Sequence, residues 1–224
     1  MNPSESEIYP YSVTDLSKMD AIIIAPHPDD ESIGCGGSIV RHVRAGSRVK
    51  VVFITDGDKG DLEGRFGDNY VSMRRGCAEM AMDILGVRDY EFWGYRDRES
   101  GSVIEEITER LNHTIKGFSP SLIYAPSSYE VHPDHRVMSE IGLRVSDEVG
   151  ISLLFYEVTI ALCPNILVDI TDEMERKRQA IKSYHTELYY NDYLSKIEGL
   201  NRFRTATLPK TITFAEGFIL LKKD

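Results

Sequence analysis

Cysteine is scarce in this chain. Three thiols, Cys35, Cys77 and Cys163, stand among 224 residues. Their odd number, wide spacing and lack of a CxxC pair exclude a disulfide framework. Three reduced thiols fit a cytoplasmic protein. Positive charge is also short: 26 Lys and Arg against 36 Asp and Glu leave a net charge of -10 and a pI near 5.1. Nucleic acid and anionic membranes both need a basic face, so neither is an expected partner; an uncharged substrate stays open. No apolar run reaches the length of a bilayer span. The first residues, MNPSESEIYPYSVTDLSK, lack the basic-then-apolar layout of a signal peptide, and residues 1–19 read as a short polar arm. Internal repeats, low-complexity tracts and linkers are missing too. The chain reads as one domain over 1–224, long enough to bury a core without staples.

What is present alternates between strand and helix. Residues 20–26 (DAIIIAP) form a short apolar run, as a fully buried strand does. Residues 48–55 (RVKVVFIT) make a β-branched second strand, closed by Asp56-Gly57. Further strands are expected at 90–93, 121–125, 151–158, 166–170 and 214–221. Helices are expected at 36–45, 69–85 with Gly86 as its cap, 103–118, 133–149 and 171–190. Such alternation implies βαβ units, hence an α/β fold with a mainly parallel sheet. Ligands then bind beyond the carboxyl ends of the strands. That rule points to 26–31, 55–60, 93–97 and 126–135.

The first of these segments, Pro26-His27-Pro28-Asp29-Asp30-Glu31, puts one imidazole beside three carboxylates. Adjacent acids repel unless a cation compensates them, and His with carboxylate suits zinc. A turn can aim His27 and Asp30, three residues apart, at one ion, leaving Asp29 to act on a bound water. Read alone, the hexapeptide is equally well an acidic turn capping a helix. The segment His132-Pro133-Asp134-His135 follows the fourth strand, with Pro133 in the first turn of a helix. His135 would be a third metal ligand. His132 would stay unligated, with Asp134 setting its tautomer or charge. Two histidines and one aspartate leave the fourth zinc position open, as catalytic sites do. A carboxylate base and an imidazole acid complete an amide hydrolase.

PHPDDE and HPDH resemble the signature segments of the PIG-L/LmbE-like family of zinc-dependent N-acetylglucosaminyl deacetylases. Thr55-Asp56-Gly57, the helix from Arg74 to Gly86, Asp97, Asp169-Ile170-Thr171 and the later Lys177, Ala180 and His185 resemble the family's pattern along most of the chain. The resemblance implies a Rossmann-like three-layer α/β sandwich. It implies zinc on His27, Asp30 and His135, Asp29 as general base, and His132 stabilising the oxyanion with Asp134 as its partner. It also implies that Arg74 and Asp97 contact sugar hydroxyls, and it favours a homo-oligomer. The chain departs from the pattern at Cys77, where an acid is common. It departs at Thr186-Glu187 in place of Ser-Gln, and at Glu130, where some relatives carry a tyrosine and Tyr129 lies one residue further off.

Hydrolysis of an N-acetylated amino sugar is the expected activity. An amidase acting on a larger glucosaminyl conjugate, admitted by an open 57–70 loop, is the nearest alternative. A non-catalytic sugar-binding module is another, and a phosphate-accepting receiver built on Asp29, Asp30 and Asp56 a third. Gly34-Cys35-Gly36-Gly37 lacks both GxGxxG spacing and a P-loop lysine, and reads as close packing beneath the metal turn. Trp93, Tyr95 and Tyr129 are as readily packing residues as sugar platforms. Tyr184, Tyr189, Tyr190 and Tyr193 suit a subunit interface or a pocket wall. His42 and His113 receive no role.

Overall fold

The computed structural model describes residues 3–222; the ends of the expected single domain, including residues 1–2 of the polar arm, lie outside the described residues. In chain order the elements are α1 (Glu5–Ile8), β1 (Ala21–Ala25), α2 (Asp30–Arg44), β2 (Val49–Thr55), α3 (Tyr70–Leu85) and β3 (Asp89–Tyr95). They continue with α4 (Ile104–Phe118), β4 (Leu122–Pro126), α5 (Pro133–Val149), β5 (Ser152–Tyr156) and β6 (Ile166–Asp169). The last are α6 (Met174–Ser183), α7 (His185–Tyr190), α8 (Tyr193–Phe203) and β7 (Ala215–Leu221). The sheet runs β3-β2-β1-β4-β5-β7-β6. Its first five strands are parallel, and β7 pairs antiparallel with both β5 and β6.

β1 is buried on both faces, which is why it reads as unbroken AIIIA. Ala21, Ile23 and Ala25 meet α2, α3 and α6; Ile22 and Ile24 meet α4 and α5. Helices thus cover both sides, and the expected three-layer α/β sandwich is present. Chain order reverses between β1 and β4, so the crevice opens where the loops after these two strands diverge. Both histidine-bearing segments start there.

The arm is pinned to the domain. Thr14 N donates to Leu167 O, and Pro10 O accepts from Thr207 Oγ1. The helix expected from Gly36 starts instead at Asp30 and kinks at Cys35 (φ -144°, ψ 21°). The glycines serve close packing, as expected: a Cβ on Gly34 would stand 2.2 Å from the Tyr156 ring, and one on Gly37 2.5 Å from Ile170. Glu216 accepts from Gly37 N, Ser38 N and Ser38 Oγ, capping the helix where it restarts. The helix expected over 171–190 is two helices, broken at Tyr184 (ψ 55°). There Tyr184 turns inward and its hydroxyl donates to Glu31.

Candidate active site

His27, Asp29 and Asp30 leave β1 in a tight turn. Asp29 holds φ 128°, ψ -30°, a conformation that side-chain-bearing residues rarely adopt. Several bonds impose it. Asp29 N donates to Glu31 Oε2 at 3.1 Å, and Ile33 N donates to Asp29 O at 2.9 Å. Arg74 reaches over from α3; its Nε and Nη2 donate to Pro28 O at 3.2 and 3.1 Å. Gly57 (φ 64°) makes room, since a Cβ there would lie 2.1 Å from Arg74 Nη1. From the other side, α5 opens with His132 as its N-cap and Pro133 in its first turn.

Three donor atoms converge. His27 Nδ1, Asp30 Oδ2 and His135 Nε2 form a triangle with edges of 3.2, 3.1 and 3.2 Å. Ligand atoms about 2.0–2.1 Å from a tetrahedral zinc stand about 3.3 Å apart, so triangle and donor types both fit such an ion. The outward atoms of the rings meet carboxylates as well. His27 Nε2 lies 3.3 Å from Asp134 Oδ2, and His135 Nδ1 lies 3.6 Å from Glu130 Oε2. Both carboxylates are fixed in turn. Asp134 accepts from Arg98 N and Ser100 Oγ, and Glu130 from the backbone N–H groups of Val158, Thr159 and Ile160. Carboxylates behind ligating histidines are the usual support of such a site.

The electrostatics agree with a cation site. Burial disfavours charge on His27 and His135, yet the carboxylates outweigh it. His27 is pushed well up, chiefly by Asp134 and Asp30, and His135 is pushed up to about 9 by Asp30 and Glu130. Burial opposes the Asp30 carboxylate, but the two rings hold its pKa far below the usual range. Without a metal, imidazolium charge compensates the acids; a divalent ion would do the same. Burial raises Asp29 well above an ordinary aspartate, Arg74 opposing and Asp30 and Glu187 adding to it. Burial, then charge on His27 and His135, lowers His132 to about 4. Asp134 N donates to His132 Nδ1 at 3.3 Å, so the neutral ring carries its proton on Nε2, which faces Asp97 Oδ1 at 3.4 Å.

His27, Asp29, Asp30, Arg74, Asp97, His132 and His135 all line one cavity of about 220 Å³. Asp134 stands behind His27, closer to it than to His132 Nδ1 at 3.8 Å. Arg74 is engaged with Pro28, Gly57, Tyr70, Asp29 and Glu187, so it clamps the turn more than it reaches outward. Tyr193 lines the cavity, one of the two places expected for it; Glu130 and Ser100 as supports and Glu187 as a cavity wall were not expected from the sequence. The only sequence signal was that Glu130 and Glu187 fall where the family pattern differs. Asp56 lines a separate cavity of about 160 Å³, apart from Asp29 and Asp30, which removes the basis of the receiver reading. The 57–70 loop is folded down: Asp61 accepts from Arg65 N, Phe66 N, Gly67 N and the Tyr190 hydroxyl. Tyr95 and Trp93 spend their polar atoms on Glu106 and Glu91, Tyr129 is exposed, and His185 faces Cys77 Sγ.

An α/β sheet whose switch point carries such a histidine–aspartate triangle defines the metal-dependent hydrolase class. Residues 22–146 match the profile of PIG-L: GlcNAc-PI de-N-acetylase, and the chain belongs to that family. It is 28% identical over 185 residues to diacetylchitobiose deacetylase of Thermococcus kodakarensis, covering 74% of this chain and 69% of that protein. It is also 28% identical over 156 residues to 1D-myo-inositol 2-acetamido-2-deoxy-alpha-D-glucopyranoside deacetylase 2 of Catenulispora acidiphila. That match spans 58% of this chain and only 51% of the relative. Among solved structures, N,N'-diacetylchitobiose deacetylase from Pyrococcus horikoshii, complexed with its inhibitor MPG, superposes with TM-score 0.74. That pair shares 26% identity over 92% of this chain and 87% of the other.

Proposed function

We propose that the protein hydrolyses the N-acetyl amide of an N-acetylglucosamine-type sugar, releasing acetate and the free amino sugar. The triangle of His27 Nδ1, Asp30 Oδ2 and His135 Nε2 on the cavity wall carries this reading. These three residues would hold zinc, which polarises an amide carbonyl and acidifies water. Asp29, with its raised affinity for a proton, takes the proton of the attacking water. His132 donates its Nε2 proton as a hydrogen bond to the carbonyl oxygen as that oxygen gains charge. The proton held by Asp29 passes to the departing nitrogen, with His132 assisting. Asp97 meets the sugar hydroxyls beside the reacting amide, Arg74 keeps Asp29 in place, and Asp134 and Glu130 hold His27 and His135.

The cavity is smaller than the ~300–1,000 Å³ of pockets that enclose drug-sized ligands, which suits one sugar residue with its aglycone outside. A disaccharide, as in the diacetylchitobiose deacetylase, and an inositol conjugate, as in the Catenulispora relative, both meet that condition. Among the described residues no helix is long and apolar enough to cross a membrane. We place the enzyme in the cytoplasm as a homo-oligomer, without nucleic-acid or membrane partners; light scattering tests the assembly. The activity is tested by acetate release from free N-acetylglucosamine, its β-linked dimer and an inositol conjugate, with chelator controls. Release abolished by chelator and restored by zinc is expected, and Asp29→Asn should keep the metal while losing most turnover. No release from any compound by zinc-loaded protein would defeat the proposal.

A further inference from the structure

The cavity has two unlike walls, and the sheet order sets them apart. Lys59 from the loop after β2, with Asp97 and Arg98 from the loop after β3, lines one side. Ile33 of α2, Val158 from the loop after β5 and Tyr193 at the start of α8 line the other. β3 and β2 flank β1 and β4 on one side and β5 on the opposite side, so the metal triangle stands between a charged wall and an apolar one. The apolar wall is continuous, because Val158 and Tyr193 pack on the cluster that contains Ile33, Ile181 and Ile197. Ile33 forms its bottom: it borders the cavity yet is only 3% exposed. Leu62 and Val131 also border the cavity but are 74% and 60% exposed, so they belong to its mouth.

We propose that Ile33, Val158 and Tyr193 form the pocket for the acyl group, and that Ile33 and Val158 restrict it to acetyl. The inference rests on the deacetylase reading and adds the acyl specificity of the same site. Ile33 stands three residues after Asp30 in α2, hence on the same helix face, which puts an apolar side chain next to the triangle. An amide carbonyl at the triangle carries the sugar nitrogen on one side and the acyl chain on the other. Asp97 takes sugar hydroxyls on the charged wall, so the acyl chain points to the apolar wall. A methyl group loses nothing there, whereas a sugar hydroxyl would give up its hydrogen bonds to water. Each further methylene has to displace Ile33 or Val158, and Ile33 is already packed against Ile181 and Ile197.

The test compares kcat/KM of the zinc-loaded protein on N-acetyl, N-propionyl and N-butyryl forms of glucosamine and of its β-linked dimer. NMR titrations of the same protein with acetate and with butyrate run beside it. Wild type is expected to lose about tenfold with each added methylene, the scale of one methylene in an apolar pocket. Ile33→Ala and Val158→Ala should each shrink the acetyl-to-butyryl ratio by about tenfold, while Leu62→Ala, at the mouth, leaves that ratio at its wild-type value. The carboxylates follow the same order: butyrate binds wild type more weakly than acetate and gains on it in both pocket variants. Val158 is half-buried, so its variant reads the pocket even where Ile33→Ala fails to fold. Equal rates on all three acyl forms in wild type overturn the pocket, as does a ratio that moves with Leu62→Ala and not with Val158→Ala. No turnover on any acyl sugar, with the carboxylate order and its shift intact, keeps the pocket and counts against the deacetylase reading alone. No turnover and no carboxylate order overturns both.

Discussion

Arg74 Nη2 lies 3.3 Å from Asp29 Oδ2, and the same guanidinium holds the carbonyl of Pro28, the residue before Asp29, with two further bonds. Bonds to Glu31 and Ile33 also hold the strained backbone at Asp29, but this planar fork alone ties the Pro28 carbonyl and the Asp29 carboxylate together. Lysine carries the charge but lacks the fork. Arg74→Lys should lower kcat by about 10²-fold, the scale of a misplacement near 1 Å, while zinc stoichiometry stays at wild type. Turnover and metal content measured on one preparation check this. Equal loss of both would mean that Arg74 supports the metal site as a whole.

Glu130 should matter for metal affinity although it lies outside the triangle. Its carboxylate faces His135 Nδ1 at 3.6 Å, close enough to act on the ring's charge, and is itself held by three successive backbone N–H groups after β5. Glu130→Gln keeps the volume and weakens the pull on His135 Nδ1. A loss of about 10–100-fold in zinc affinity is expected, measured by competition with a chromophoric chelator. Unchanged affinity would reduce Glu130 to an anchor for the loop after β5.

These supports also mark how far the sequence could be read. Each half of the triangle was legible, because His27-Pro28-Asp29-Asp30 and His132-Pro133-Asp134-His135 follow strands whose apolar runs are plain. Helix α5 begins at Pro133 and ends before Gly150, as its proline and glycine announce. Glu130, Ser100 and Glu187 were not legible as partners of the site, since each comes from a loop or helix whose approach is set by tertiary packing. The same cause hid the start of α2: local propensity disfavours its glycines, and only Tyr156, Ile170 and Glu216, all distant in sequence, explain a helix there. The antiparallel sense of β7 and the separate helix α8 have no local signature either, because pairing direction follows from where the chain returns.

His42 gives a pH dependence separate from the active site. Its ring is buried, with Nε2 2.9 Å from the Tyr124 hydroxyl and Nδ1 3.3 Å from Ser17 O. Burial lowers its pKa, more than its hydrogen bonds restore it. In the unfolded chain it titrates near ~6.5. Below that pH the unfolded state binds a proton that the folded state refuses. Stability from this group is complete above about pH 6.5 and is lost as pH falls toward the lowered folded value. Urea midpoints of metal-free protein should therefore drop between pH 7 and pH 5 more steeply for wild type than for His42→Gln, which cannot titrate. The comparison cancels the histidines of the metal site, which both proteins share. Parallel profiles would show that His42 protonates equally in both states.

The buried pair Lys177–Glu216 separates a charge partner from a helix cap. Lys177 Nζ lies 2.7 Å from Glu216 Oε1, and both side chains are essentially inaccessible. Glu216 has three further donors, Gly37 N, Ser38 N and Ser38 Oγ, at the restart of α2; Lys177 has Glu216 alone among its described hydrogen bonds. Glu216→Ala leaves a buried ammonium unpaired and uncaps the helix beneath the metal turn, a loss of about 3–5 kcal/mol or more. Lys177→Met removes the ammonium but leaves the carboxylate three donors, so its cost should be clearly smaller. Urea denaturation of the two variants measures the order. If Lys177→Met were the more damaging, the carboxylate would depend on the ammonium more than on the helix, and Glu216 would lose its role as the cap of the broken α2.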